Sequence, residues 1–351
     1  MKILFISDLY PIKNEEINTP KTLFKFVRDW RILGHQVDVL KPNFLFNSFL
    51  RGKPFYKTGR YENAYNANYI TPFLFDVKKK IPNYDYDIII SHLPSGIIFS
   101  NHFEGKKICA VHCSDIEVLT NPIYKFYFKT EMEKAYKNCS AIACRSEVLQ
   151  NKFLKLYPQY GEKTFVASSG VDIEPNLPRK NDRKNFLTCA NLIKRKNVDK
   201  LILAVNKVEN VKLKVIGTGK ELSYLKSIAN ENTTFLGHLQ NDKVLEEMAK
   251  SDVFVLPSVN ETFGMVYLEA MASGCITVGT KNDGIDGIIK DGINGFLSNP
   301  DVESLVEVIT SITCLSEEQQ SKMLQNCYNT VNSYKSLACA DRYLKNVLKF
   351  I

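Results

Sequence analysis

The sequence predicts an α/β protein made of two doubly wound parallel-sheet domains facing a cleft. Three observations predict it. The chain has 351 residues, and at roughly 150 residues per domain two are expected. Short apolar runs alternate with stretches of helical period along the whole length, the pattern of parallel strands joined by right-handed helical crossovers. The polar stretch 168–184 (SSGVDIEPNLPRKNDRK) carries a glycine, two prolines and mixed charge, and reads as a linker that divides the alternation in two. The expected divisions are 1–170, 171–333 and a last helix, 334–351, that crosses back to the first domain.

The elements follow in order. Lys2–Ser7 (KILFIS) is a short apolar run bounded by polar residues, a buried parallel strand. A helical pattern over Thr22–Leu33 stops at Gly34-His35, and Gln36–Leu40 resumes as strand, completing a βαβ opening. Residues 43–80 interleave aromatics (Phe44, Phe46, Phe49, Phe55, Tyr56, Tyr61) with cations (Arg51, Lys53, Lys57, Arg60). Strands are then expected at Asp87–Ser91, Lys107–Val111, Ser140–Cys144 and Thr164–Ala167, with helices near Tyr124–Lys137 and Ser146–Lys155. The second half repeats the alternation. Its strands are expected at Asn185–Cys189, Lys212–Ile216, Val253–Leu256 and Ile276–Gly279. Helices are expected at Val198–Val208, Glu221–Asn230, Lys243–Lys250, Val266–Ser273 and Val302–Thr310, with two more between 316 and 350.

Composition narrows the class. With 44% hydrophobic and 24% charged residues, the chain is neither disordered nor fibrous. No apolar run approaches the roughly 18–20 residues of a membrane span, and the opening apolar run, which reaches only Asp8, is too short for a secretory leader. Nine cysteines, an odd number without a CxxC pair, read as reduced thiols packed as small hydrophobes, which suits a cytoplasmic protein. The net charge of +8 lies entirely in residues 1–170, which hold 24 Lys+Arg against 16 Asp+Glu. That excess suits an anionic partner such as a phospholipid surface or a pyrophosphate-linked lipid. Solvated helix lysines would account for it equally.

Chemistry is expected where strands end, because ligands of doubly wound sheets bind at the carboxyl ends of the strands. Segment 257–274 (PSVNETFGMVYLEAMASG) follows the strand VFVL. Glu261 precedes the turn Thr262-Phe263-Gly264, and a helix begins near Met265, whose first N–H groups can hold an anion or sugar hydroxyls. Glu269 lies inside that helix, in an apolar run. A capping Glu261 and a solvated Glu269 are the structural alternative. The second group, Asn191-Leu-Ile-Lys194-Arg195-Lys196-Asn197, places three consecutive cations after a strand. Cations are unfavourable at a helix start, so their presence there points to an anion, such as a diphosphate whose charge grows as it leaves. The third group, His112-Cys113-Ser114-Asp115, follows the strand KKICAV. A neutral histidine both donates and accepts hydrogen bonds. His92 ends a neighbouring strand and is a weaker candidate. Gly217-Thr-Gly219 lacks the third glycine of a dinucleotide loop, and Asp85-Tyr86-Asp87 leads into a strand and reads as a turn.

In this order the motifs resemble glycosyltransferase family 4, the retaining glycosyltransferases of GT-B fold. The resemblance spans nearly the whole chain: MKILFIS…YP, LGHQVDVL, VHCSD, SSGVD, NLIKRKNV, VIGTG, FLGHL, the E-x7-E pattern and NDGIDGIIKDGINGF. It implies two Rossmann-like domains, the first holding a saccharide or lipid-linked saccharide acceptor and the second a nucleoside-diphosphate sugar. By resemblance, Glu269 binds the ribose hydroxyls, Glu261 contacts the donor sugar, and the backbone of Phe263, Gly264 and Met265 lies against sugar and phosphates. Lys196 matches the family lysine on the diphosphate. Asn191 stands where an arginine is usual, so Lys194 or Arg195 compensates or the phosphate is held less strongly. His112 would lie near the anomeric carbon, with Asp115 and His92 on the acceptor side. Cys113 replaces a glycine, and the usual glycine-rich loop after the first strand is replaced by residues 10–19. The implied activity is that of a hexosyltransferase in surface-polysaccharide assembly. No cofactor, essential metal or nucleic acid is expected, and the basic half is expected to bring the protein peripherally to the inner face of the membrane. An epimerase or phosphorylase of the same fold, or a non-catalytic sugar-binding module, stays open at this point.

Overall fold

The computed structural model describes residues 1–10, 21–44, 60–61, 64–70, 73–74, 85–124, 128–176 and 182–351. The chain forms two compact units. One comprises Met1–Arg145, Leu149–Ser169 and Ser336–Ile351; the other comprises Gly170–Lys335 together with Ser146–Val148.

In the first unit the elements run β1 (Lys2–Ile6), α1 (Lys21–Ile32), β2 (Gln36–Phe44), β3 (Arg60–Tyr61), β4 (Ala64–Ile70), β5 (Phe73–Leu74), β6 (Ile88–His92), α2 (Leu93–Phe99), β7 (Lys107–Val111), α3 (Cys113–Thr120), α4 (Thr130–Asn138), β8 (Ala141–Cys144), α5 (Glu147–Leu156) and β9 (Thr164–Val166). The strand order is β3-β4-β2-β1-β6-β7-β8-β9, with β5 on β4. Pairing is parallel except at the short β3 and β5, which run antiparallel to β4. The central strand shows why the sequence reads as an unbroken apolar run. Ile3 and Phe5 of β1 enter one core cluster, while Leu4 and Ile6 enter another on the opposite face. A strand covered on both faces needs apolar residues at every position. Most of the aromatic-basic stretch 43–80 lies outside the described residues.

The second unit runs β10 (Asn185–Cys189), α6 (Val198–Val205), β11 (Lys212–Ile216), α7 (Leu222–Ile228), β12 (Thr233–Gly237), α8 (Asn241–Ala249), β13 (Val253–Val255), α9 (Met265–Ala272), β14 (Ile276–Thr280), β15 (Phe296–Ser298), α10 (Val302–Thr313) and α11 (Glu317–Ser333). Its order is β12-β11-β10-β13-β14-β15, all parallel. In both sheets the first strand is central, and the chain winds first to one side of it and later to the other. The linker is ordered at Val171, which is fully buried and pairs with Lys335.

Seven elements depart from expectation by their presence. They are the strands β3, β4, β5, β12 and β15 and the helices α2 and α3, none of which was placed from the sequence. The helix expected from Tyr124 is assigned as α-helix only from Thr130. None of the nine cysteines, all of them among the described residues, forms a disulfide. Among the described residues, no helix is long and apolar enough to cross a membrane.

The last helix, α12 (Ser336–Val347), belongs to the first unit and packs on α1. The indole N–H of Trp30 donates to the Ala340 carbonyl at 3.0 Å, and the Ser336 hydroxyl donates to the carboxylate of Asp29 at 2.5 Å. Tyr343 meets Trp30 and Phe26 edge-on, each at 5.4 Å between ring centroids. Because Asp29 is 1% exposed, removing its hydroxyl partner leaves a charged group short of a bond in a dry site. Ser336→Ala is expected to cost about 1.5–3 kcal/mol, measured by urea unfolding; an unchanged midpoint would show that this tie contributes nothing.

Candidate functional site

The second unit gathers its charged residues where the chain leaves β10 and β13. These adjacent central strands form the point at which the winding reverses, the place on a doubly wound sheet where ligands bind. After β10 the chain forms a single 3-10 turn, Lys194–Lys196, ended by Asn197 in the left-handed conformation. After β13 it runs through Pro257–Glu261 to Gly264. The two loops are zipped together. The Val259 N–H donates to the Arg195 carbonyl at 2.9 Å, and the Asn197 amide donates to the Pro257 carbonyl at 2.8 Å. A guanidinium N–H of Arg195 donates to Glu261 at 3.0 Å, and the Lys196 ammonium donates to the same carboxylate oxygen. Burial alone would raise the Glu261 carboxyl, but Lys196 and Arg195 together hold it below its ordinary value. It is therefore an anion at neutral pH.

Glu261 is fixed from behind as well. Its backbone N–H donates to both carboxylate oxygens of Asp283, at 3.1 and 3.0 Å, and Asp283 is 4% exposed. The next residue, Gly284, sits so close that a Cβ would lie 2.7 Å from the Phe263 nitrogen and also strike the Glu261 carbonyl. Gly264 has φ +85°, and a Cβ there would lie 2.6 Å from the Tyr267 ring; only glycine meets both demands. It precedes α9, whose start has no side-chain cap. The Phe263 side chain is buried in the core beside Tyr334, so only its backbone can face a ligand. Thr262 and Met265 are half-buried.

Glu269 lies half-buried on α9, and its position is marked by Cys189 at the end of β10. That thiol is raised to about 11, by burial first and then by the charge of Glu269, with Lys196 opposing. Glu261, Lys196 and Glu269 thus belong to one neighbourhood. Asn191 is exposed on the same loop. Of the two cations considered as its substitutes, Arg195 rather than Lys194 reaches Glu261. The Gly217-Thr-Gly219 turn supports this loop. A Cβ on Gly217 would strike the Ala190 carbonyl and one on Gly219 the Leu192 carbonyl, and the Leu192 N–H donates to the Thr218 carbonyl at 2.9 Å.

In the first unit the corresponding point lies beyond β1 and β6. His92 ends β6, and His112 follows β7 as the residue before α3. Their rings are hydrogen-bonded, His92 Nδ1 to His112 Nε2 at 3.0 Å. His112 is partly exposed, whereas His92 is fully buried. His92 therefore does not face an acceptor, and its ring backs His112 instead. Asp115 is also corrected. It is fully buried and accepts the His112 backbone N–H at 2.7 Å, holding the start of α3. Burial pushes its carboxyl well up, the His112 N–H opposes this, and the charge of Asp8 adds to the rise. Burial is also the main cause that lowers His112, to about 3, with the Arg145 guanidinium second. His92 is lowered by burial, then by His112 and Arg145. Arg145, Asp8, Tyr343 and Asp283 were not anticipated. Arg145 and Asp8 do follow strands, and that position was the available signal.

Similarity to known proteins follows the same division. The sequence profile of glycosyl transferases group 1 matches residues 172–330, and that of glycosyltransferase family 4 matches residues 21–175. An uncharacterized glycosyltransferase of Methanocaldococcus jannaschii is 28% identical over 325 residues, 89% of each chain. The lipopolysaccharide core biosynthesis glycosyltransferase LpsE of Rhizobium meliloti is 28% identical over 171 residues, 47% of this chain and 49% of that one. Among solved structures, sucrose-phosphate synthase of Thermosynechococcus elongatus superposes with a TM-score of 0.74 at 14% identity, covering 99% of this chain and 98% of that one. HepE of Anabaena, solved with UDP, gives 0.72 at 19% identity over the whole of both chains.

The two histidines make a titration prediction. Their folded values lie below the 6.5 of an ordinary imidazole, so the unfolded chain takes up protons first. Each contributes stability that is complete above that value and is lost as pH falls below it, by up to about 1.4 kcal/mol per pH unit. Asp115, raised instead, acts with the opposite sign above the ordinary carboxyl range. Ring resonances of 15N-histidine-labelled protein are expected to show both residues neutral at pH 5; an imidazolium at position 112 would contradict the assignment.

Proposed function

The chain belongs to the glycosyl transferases of group 1 and has the GT-B fold, and on that premise we propose how this glycosyltransferase works and what it acts on. The donor is a nucleoside-diphosphate sugar held by the second unit. The acceptor is a saccharide or lipid-linked saccharide held by the first, and transfer retains the anomeric configuration. The observation that carries this reading is the cluster at the ends of β10 and β13. Two cations converge there on Glu261, beside the uncapped start of α9, with Glu269 in the same neighbourhood.

The chemistry follows from those groups. Carboxylates accept hydrogen bonds from paired hydroxyls, which fits Glu269 to a ribose and Glu261 to the donor sugar. Arg195 and Lys196 offset the charge that grows on a diphosphate as its bond to the anomeric carbon breaks. The acceptor oxygen bonds to that carbon on the face the diphosphate leaves, and its proton passes to the departing phosphate oxygen. No metal is needed in this scheme, because the two side-chain cations supply the compensating charge. His112 offers the acceptor a neutral hydrogen-bonding group in the first unit.

The relative named for lipopolysaccharide core biosynthesis supports a role in surface-polysaccharide assembly, and HepE with bound UDP supports a uridine nucleotide as the first donor to try. The +8 excess of residues 1–170 fits a peripheral site on an anionic membrane face on the cytoplasmic side, where a lipid-linked acceptor would be met. Salt-sensitive co-sedimentation with anionic vesicles is the expected result; its absence would remove the membrane from this reading.

A thermal-shift screen with UDP-, GDP- and ADP-sugars is expected to single out one nucleotide by a raised midpoint. Glu269→Ala should then weaken that nucleotide about 10- to 100-fold by calorimetry, consistent with losing charge-assisted bonds of roughly 1.5–3 kcal/mol. Unchanged affinity would refute the donor assignment. Transfer should persist in EDTA at an unchanged rate; loss restored by a divalent ion would show that the two cations are insufficient.

A further inference from the structure

We infer that Glu261 makes the donor site prefer an intact nucleotide sugar over the nucleoside diphosphate it becomes. Its carboxylate competes with the diphosphate for Arg195 and Lys196, and it regains partners only when a sugar is present. The inference rests on the donor reading above and adds what lets the product leave.

It starts from a conflict among side chains. The guanidinium of Arg195 lies 3.0 Å from Oε1 of Glu261, and the Lys196 ammonium bonds to the same oxygen. The Glu261 and Lys196 side chains are only 18% and 12% exposed. A diphosphate drawn to these cations enters against the Glu261 anion. Whatever share of the two cations it gains, Glu261 loses.

The competition is confined to side chains, because the backbone is held on both sides. The Glu261 N–H donates to both Asp283 oxygens, and a Cβ on Gly284 would lie 2.4 Å from the Glu261 carbonyl oxygen. The Val259 N–H donates to the Arg195 carbonyl at 2.9 Å. Asn260 between them has φ +61°, a left-handed conformation that asparagine tolerates better than most residues. The buried Asp283 is thus a positioning residue. It keeps the backbone of Glu261 in place while the carboxylate, at the end of a flexible arm, changes partners.

Charge explains what the competition achieves. When the anomeric bond breaks, the diphosphate gains a negative charge, so cations alone would hold the product more tightly than the donor. Glu261 reverses that order. With the donor bound, sugar hydroxyls donate to the carboxylate and replace what the cations withdraw. With the product alone, a largely buried anion is short of partners, and its lost bonds count against binding. The carboxylate returns to the two cations as the diphosphate departs.

The test is calorimetry on the full-length protein with inorganic pyrophosphate, which carries the diphosphate charge without base or sugar. Glu261→Gln keeps the shape and removes the charge. It should bind pyrophosphate about tenfold more tightly than wild type, the effect of removing one charge-assisted competitor. Glu261→Asp, whose shorter arm reaches the cations less well, should gain a few-fold only, and it serves if the Gln variant fails to fold. Removing a nearby negative charge favours any anion, so the gain is measured again in a Lys196→Met background. It should shrink there to about twofold, because Glu261 has one cation fewer to withhold. Among UDP, GDP and ADP, the nucleotide that binds should tighten in Glu261→Gln as pyrophosphate does. At least one of its conjugates with glucose, galactose, mannose or N-acetylglucosamine should not. Equal pyrophosphate affinity in wild type and Glu261→Gln, an undiminished gain beside Lys196→Met, or equal tightening of every conjugate would overturn the inference. Pyrophosphate behaving as expected while no nucleotide sugar binds would refute the donor reading instead and leave the competition for the two cations standing.

Discussion

Parallel strands leave all their carboxyl ends along one edge, and a doubly wound order makes one place on that edge unlike the rest. At β1/β6 and at β10/β13 the strand order reverses, so the chain leaves the two strands for opposite ends of the sheet. Polar groups placed there are neither solvated like a surface nor packed like a core. In the second unit this constraint brings residues 195, 196 and 261, far apart in sequence, to one carboxylate oxygen. The glycines at 217, 219, 264 and 284 are what let the surrounding loops approach closely enough.

The two units manage charge at that edge in opposite ways. The second keeps its groups ionised and pairs them, so that an anion stands among cations before any reaction begins. The first suppresses ionisation. Its histidines stay neutral and its buried aspartate resists losing a proton, while one guanidinium keeps its charge amid carbonyl, hydroxyl and ring. Opposed charges suit the handling of a diphosphate. A neutral, hydrogen-bonding surface suits hydroxyls, whose positions matter more than their charge.

What was legible in the sequence follows from how locally each feature is determined. Strands such as β7, β10 and β11 fell at their expected residues, because each centres on a short apolar run that the sheet buries. Strand β12 (TTFLG) lies at the sheet edge and is only partly buried, so its residues carry no such mark. Helix α2 begins with Leu93-Pro94 after a residue that ends a strand, and α3 begins with Cys113-Ser114-Asp115; both openings read as loop. The loops bearing Glu261 and Lys196 were legible because order and spacing mark them. Their mutual ion pair was not, since it depends on which strands become neighbours. Asp115 was placed on the acceptor side by resemblance, and its buried bond to the His112 N–H stayed hidden because it is a matter of three-dimensional packing. Tyr343 was hidden for the same reason: nothing near residue 343 points to a partner 251 positions earlier.

The return of α12 to the first unit has a consequence for how the protein is made. The ribosome emits residues 1–169 first, yet Trp30 and Phe26 stay uncovered until Ser336–Ile351 have been translated. The second unit can close in the meantime, as domains do during synthesis. The half that begins first therefore finishes last, and a premature stop codon near position 335 would release a chain whose second unit is whole and whose first exposes its aromatic core.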